Sequence, residues 1–212
     1  MRLICIFVSK VSKLLGWNPY ESYKEHQRIT FGNVSWPPTT CIDDLDMDQG
    51  VVKYKLACVA FDGAQTHDAI GHGIQNENAV LRHLVIQCEW RLEGTQKSYK
   101  KAVGNGVLYG KIDGIRRTTA RRLELIEIKS RMSEFKGIQR WEMVQVQLYL
   151  YLTGLKTCLF VESCGRRVRC YRIQKNENYI KVVMMELSVM MAYAAEPDYD
   201  DRGWTSSDDI DI

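Results

Sequence analysis

A mixed α/β domain, one central sheet flanked by helices, is the fold class this sequence predicts. Three observations point to it. An apolar stripe at helical spacing runs from Ile74 to Trp90. Two pairs of strand-like runs follow, 107–115 with 123–129 and 157–162 with 168–173. Each pair is followed by a stretch of helical pattern, about 135–152 and 178–194. The resulting order of helix, strand, strand, helix, strand, strand, helix suits a mixed sheet with helices packed against it.

Each element has its own signal. Val80, Leu81, Leu84 and Cys88 recur at the spacing of one helical face, and Leu92-Glu-Gly ends that pattern. Gly106 precedes the first strand. The basic link Arg116-Arg-Thr-Thr-Ala-Arg-Arg reads as a hairpin connection to the second strand. Ser133 is a candidate cap for the helix that follows, and Gly154 stops it. Cys164-Gly turns the third strand into the fourth, and Pro197 ends the last helix. Residues 1 to about 65 give no regular pattern and are expected to form short helices and loops packed on a core of 66–196. The apolar start of the chain reads as a buried strand or first helical turn rather than a leader, because Ser9 and Lys10 interrupt it. The stretch Asp198 to Asp211 holds six Asp and one Arg, and residues 197–212 are expected to form a disordered acidic tail.

Composition narrows the function classes. With 212 residues, 45% hydrophobic and 26% charged, the chain suits one globular domain. The net charge of +3 argues for no partner by itself. The seven cysteines include no C-x-x-C pair, which fits reduced thiols in an intracellular, reducing compartment such as cytoplasm or nucleus. No run approaches membrane-spanning length, so no membrane partner is expected. His67, His72 and His83 lack metal-ligand spacing.

The chemistry concentrates in Tyr109-Gly-Lys-Ile-Asp113-Gly and Leu125-Ile-Glu127-Ile-Lys129. Alternation along a strand puts Glu127 and Lys129 on one face, roughly 7 Å apart by strand rise. Buried charges are rare unless paired or bound to an ion. Carboxylate oxygens are hard ligands suited to magnesium, so Asp113 and Glu127 on neighbouring strands are candidate ligands, with the Ile128 carbonyl as a further oxygen. Lys129 is a candidate for orienting water and offsetting charge at phosphorus. The arginines Arg116, Arg117, Arg121 and Arg122 are candidates for nucleic-acid phosphate contacts, against the plain reading of a solvated hairpin tip. Arg166, Arg167 and Arg169 are similar.

The D-G … E-x-K pattern resembles the PD-(D/E)XK nuclease superfamily, and within it the lambda-exonuclease or YqaJ-type viral recombinase family. Gly73-Ile-Gln-Asn-Glu77-Asn, Val144-Gln145-Val-Gln147 and the run Arg167-Val-Arg-Cys-Tyr-Arg-Ile followed by a helix carry the same resemblance, over roughly residues 70–193. It implies a restriction-endonuclease-like fold of α/β (α+β) class and a metal-dependent deoxyribonuclease using magnesium, with manganese as substitute. It implies an exonuclease acting on ends of double-stranded DNA in recombination, repair or viral DNA processing. DNA would be the partner, and a single-strand annealing protein and self-association are compatible with the group. Asp113, Glu127 and Lys129 would be the metal and catalytic residues, and Glu77 an outer carboxylate. One glutamine would help hold the site, since positions two apart on a helix point about 200° apart; Gln147 is the first choice and Gln145 the second. Arg28 is the candidate remnant of a 5′-phosphate motif. Ile112 stands where the pattern has proline. The alternatives are an endonuclease of the same superfamily and a catalytically silent nuclease-like module that only binds nucleic acid.

Overall fold

The computed structural model describes residues 4–17, 50–54 and 69–194. Arg28 and the acidic tail 197–212 lie outside them. Among the described residues the elements are β1 (Ile4–Phe7), α1 (Val8–Leu14), β2 (Val51–Tyr54), α2 (Ala69–Gln87), β3 (Arg91–Thr95), β4 (Ser98–Val103), β5 (Gly106–Lys111), β6 (Gly114–Arg117), β7 (Leu123–Arg131), α3 (Arg140–Thr153), β8 (Thr157–Cys164), β9 (Arg167–Gln174) and α4 (Glu177–Ala194). They form a six-stranded sheet, β2-β9-β8-β7-β6-β3, and a three-stranded sheet, β1-β5-β4. Both are mixed: β7 pairs parallel with β8, and β1 parallel with β5, while the remaining pairs are antiparallel. The α/β class read from the sequence holds.

The period-2 alternation of β7 and β8 divides two cores. Ile126, Ile128, Leu159 and Val161 pack with Val80, Leu81 and Leu84 of α2 on one face. Leu125, Cys158 and Phe160 pack on the other face with Val144, Leu148, Val183 and Leu187 of α3 and α4. α1 joins this second core through Val8, Val11 and Leu14. The apolar start of the chain is thus a strand followed by a helix. No helix among the described residues is long and apolar enough to cross a membrane.

Four differences from the sequence reading have physical causes. β3 and β4 were not anticipated, because Arg91-Leu-Glu-Gly-Thr and Ser98-Tyr-Lys-Lys-Ala-Val are edge strands with mostly exposed positions and little apolar alternation. β2 lies in the stretch read as helices and loops, and it pairs with β9. The run 107–115 is two strands in different sheets. It breaks at Ile112-Asp113, where Ile112 N–H donates to the Lys97 carbonyl and the Asp113 carbonyl accepts from Gln96 N–H. Finally, α3 begins at Arg140 and Ser133 does not cap it. Gln139 is the N-cap, in a capping box with Glu142. Residues before it are strapped to the sheet instead: the Glu162 carboxylate accepts from Lys136 N–H at 2.6 Å and Gly137 N–H at 3.0 Å. Gly154, in the left-handed region at φ 73°, closes α3 as its glycine predicts.

Candidate active site

Asp113 occupies the point where the chain leaves the small sheet for the large one. One residue beyond the Gly114↔Ile126 pair of the β6–β7 ladder, it falls opposite Glu127. Its Oδ2 accepts a 2.8 Å hydrogen bond from Ile128 N–H. Within a strand, a residue's N–H and C=O leave on the same edge. The Ile128 carbonyl is therefore directed to the gap beside Asp113.

Glu127 is buried on the α3 side of β7. Its Oε1 accepts from Lys129 Nζ at 2.6 Å, and its Oε2 is buried with no hydrogen-bond partner. Lys129 Nζ also donates to Gln145 Oε1 at 3.2 Å, and Gln145 Nε2 donates to Tyr149 OH at 3.1 Å. The helix α3 runs antiparallel to β7 above this face: Glu142 meets Arg131, Gln145 meets Lys129, and Tyr149 comes next. Its approach depends on a glycine. A Cβ at Gly110 of β5 would meet the Tyr149 ring at 2.7 Å.

At all three carboxylates burial outweighs the positive charge nearby. Burial raises Glu77 to about 7, helped by the Asp113 charge and opposed by Lys129. Burial raises Glu127 to about 8; Lys129 pulls it down, and the charges of Asp113 and Glu77 add to the rise. Burial raises Asp113 as well, against Lys129, the Ile128 N–H and Lys111. For Lys129, burial acts to lower the value, but the Glu127 and Asp113 charges outweigh it and hold the ammonium protonated. Among the described residues no group of three or more His, Cys, Asp or Glu is arranged to hold a metal ion as it stands. Magnesium, however, takes one or two carboxylates and completes its shell with water and substrate oxygens. The unpartnered Glu127 oxygen, the neighbouring Asp113 and the hard-oxygen character of both fit such an ion.

Asp113, Ile128, Glu127, Lys129 and Gln145 therefore meet, and Glu77 lies within electrostatic reach of Asp113 and Lys129. Gln147, the first choice of the sequence reading, does not join them. It is buried on another side of α3, where it accepts from Asn176 N–H at 2.8 Å and donates to the Gln174 carbonyl at 2.9 Å. Its place is at the start of α4. The two glutamines point to different sides of α3, and it is Gln145 rather than Gln147 that meets Lys129. Arg116 is also corrected as a phosphate contact. It is buried, bonded to Glu124 through Nε at 2.9 Å, and stacked 4.2 Å from the Trp90 ring centroid. Arg117 pairs with Glu93 on the surface. Arg121 and Arg122 are exposed at the β6–β7 turn. Tyr149, four residues after Gln145 and so on the same side of α3, is a site neighbour that the sequence reading did not single out; the i+4 spacing is the signal that marks it.

No family model matches the chain, and no curated protein sequence matches it. Solved structures do share its fold. An alkaline exonuclease from Laribacter hongkongensis matches with a TM-score of 0.59 at 16% identity, over 91% of this chain and 89% of that one. The same exonuclease in complex with dAMP matches with a TM-score of 0.58 at 15% identity, over 89% and 87%. A phage-related exonuclease from Haemophilus somnus matches with a TM-score of 0.53 at 12% identity, over 91% and 94%. At these identities the likeness is one of fold, and it agrees with the fold implied by the motif resemblance.

Proposed function

We propose that this chain is a magnesium-dependent deoxyribonuclease of the PD-(D/E)XK type that hydrolyses phosphodiester bonds from the ends of DNA. The observation that carries the reading is the meeting of Asp113 and Glu127 with Lys129, where one buried carboxylate oxygen has no donor. The fold shared with exonucleases supports the same reading.

Asp113, Glu127 and the Ile128 carbonyl would hold the ion, with Glu77 as an outer carboxylate. When bound, magnesium polarises a phosphoryl oxygen, favours departure of the leaving oxygen and makes water more acidic. Lys129 stays an ammonium at neutral pH, so it acts by charge and hydrogen bonding rather than by taking a proton. Two of its three N–H groups are directed to Glu127 and Gln145, leaving one to orient the attacking water or a phosphate oxygen. Gln145 fixes the ammonium, and Tyr149 OH, by accepting from the amide nitrogen, keeps the amide oxygen toward Lys129.

Linear and covalently closed circular DNA, each with magnesium or with chelator, test the proposal. The expected result is loss of linear DNA with magnesium only, with the circle spared. Cutting of the circle would make the chain an endonuclease of the same type. No cleavage of either with any divalent cation would leave a binding module.

A further inference from the structure

We propose that Arg167 and Arg169 of β9, braced on Phe135, form a phosphate-backbone contact that grips the DNA entering the candidate active site. The inference rests on the nuclease reading for its substrate class, and on separate residues for its geometry.

The register gives the placement. Lys129 of β7 pairs with Glu162 of β8, which pairs with Arg169 of β9; Arg131, Cys164 and Arg167 form the next such row. Partners directly across a ladder project to the same face. Arg169 and Arg167 therefore share the sheet face that carries Glu127 and Lys129. Two strand spacings, about 10 Å, separate the backbones of Arg169 and Lys129. The exposed arginines of the β6–β7 turn are farther away. Arg122, just ahead of β7, lies seven residues before Lys129, about 20 Å by strand rise.

The segment that carries Phe135 is tied to the sheet by hydrogen bonds. The segment between β7 and α3 crosses above β8, where Glu162 is fully buried and accepts the N–H groups of Lys136 and Gly137. Arg131 ties the same segment down, donating to Glu162 at 2.8 Å, to Glu142 at 2.7 Å and to the Gly137 carbonyl at 3.0 Å. This leaves Phe135 fixed beside the two arginines. The Arg169 guanidinium lies 4.2 Å from its ring centroid and that of Arg167 lies 5.3 Å away, both within cation–π range.

The two arginine clusters have different fates. Arg116 and Arg117 are held in ion pairs with Glu124 and Glu93. Arg167 and Arg169 are exposed, and neither is in an ion pair with a carboxylate among the described residues. Glu162, the cross-strand partner of Arg169, directs its carboxylate to Arg131 and the loop instead. An aromatic brace leaves the guanidinium edge, with its N–H fork, open to a phosphate while reducing the rotamer freedom lost on binding. That is a surface for a polyanion rather than for an apolar partner.

The test is binding of a fluorescently labelled DNA duplex by the full chain in chelator, across a range of salt concentrations. Cleavage with magnesium is measured separately. For the double variant Arg167→Gln/Arg169→Gln the slope of log affinity against log salt should shrink by about 2, and affinity at low salt should fall about tenfold. Phe135→Leu, which keeps an apolar side chain in the loop, should lose about threefold through the missing ring face. Thermal unfolding of each variant guards against a misfolded control. An unchanged slope in a folded double variant overturns the inference, as does a parent protein that does not bind DNA. Failure of cleavage with binding and its arginine dependence intact would overturn the nuclease reading alone.

Discussion

Glu124 and Glu127 are buried carboxylates on the same strand, and they face opposite sides of the sheet. Glu124 is saturated. Its Oε2 accepts from Arg116 and its Oε1 from Arg172 at 2.8 Å, so two guanidinium groups serve one carboxylate. Glu127 is the reverse. It shares a single ammonium, has a bare oxygen, and has Asp113 and Glu77 as like-charged neighbours. Burial of a charge is therefore not the mark of a site in this fold. The sign of the local charge imbalance is. Glu124, met by two guanidinium groups, ties the strand to its neighbours, whereas Glu127 has one oxygen without a donor and two further carboxylates near it.

Neutralising each glutamate in turn should separate these roles most sharply. Glu124→Gln removes the carboxylate that Arg116 and Arg172 share, and should cost roughly 3–5 kcal/mol of stability while the folded fraction cleaves DNA at the parent rate. Glu127→Gln should cut turnover at least about a hundredfold, the scale for losing one electrostatic group at a transition state, with little loss of unfolding temperature. Equal loss of turnover per folded molecule in both variants would erase the contrast. Within the candidate site, Lys129→Ala should also lose at least about a hundredfold in turnover without altering the magnesium concentration required. Asp113→Ala should raise that concentration as well, because a ligand is removed.

The charge imbalance also predicts a pH dependence. Glu77 and Glu127 rise from 4.5 to about 7 and about 8 on folding. Between those limits these two groups bind more protons in the folded protein than in the unfolded chain, so their contribution to stability is full below about pH 4.5 and is lost as pH rises through the folded values. In chelator, the unfolding free energy should fall as the pH rises from about 5 to about 8. Glu77→Gln should flatten the slope, and magnesium should restore stability at the alkaline end. A slope of opposite sign in denaturant titrations would mean that the carboxylates are already compensated, as Glu124 is.

The smallest expected effect belongs to the glutamines. Gln147→Ala should cost about 1–3 kcal/mol through unpaired groups at the start of α4, with turnover unchanged. Gln145→Ala should lower turnover about tenfold with little change in unfolding temperature. The sequence could narrow the choice to these two, because helix geometry forbids both from facing one site. It could not choose between them, because α3 is buried nearly all round: Val144, Val146, Leu148 and Leu150 surround both glutamines with apolar residues. The same limit explains the arginines. Arg116 and Arg169 look alike in a list of charges, and only the pairing of β6 with β7 shows that the first faces Glu124. By contrast, Asp113, Glu127 and Lys129 were legible. Period-2 alternation fixes relative direction within a strand, and a carboxylate beside an ammonium in an apolar run stands out against it. The edge strands β3 and β4 were illegible for the opposite reason, since polar positions on both faces leave no period to detect.

Asp113 is gripped by the N–H of Ile128, a main-chain donor, and this has a consequence for how the protein can change over evolutionary time. A side-chain donor at that point would tie the geometry of the candidate site to the identity of one residue. The amide instead comes with every residue except proline, so position 128 is free to answer to a different demand. Its side chain packs among Val80, Leu84 and Val161, on the opposite side of the sheet from Glu127. Drift in that layer, Ile to Val or Leu with compensating changes on α2, can proceed while the carboxylate is held in the same position. The two layers of the domain are thereby uncoupled at the residue where they meet. A saturation library at 128 should show it: tolerance should follow side-chain volume, with proline excluded for its missing hydrogen.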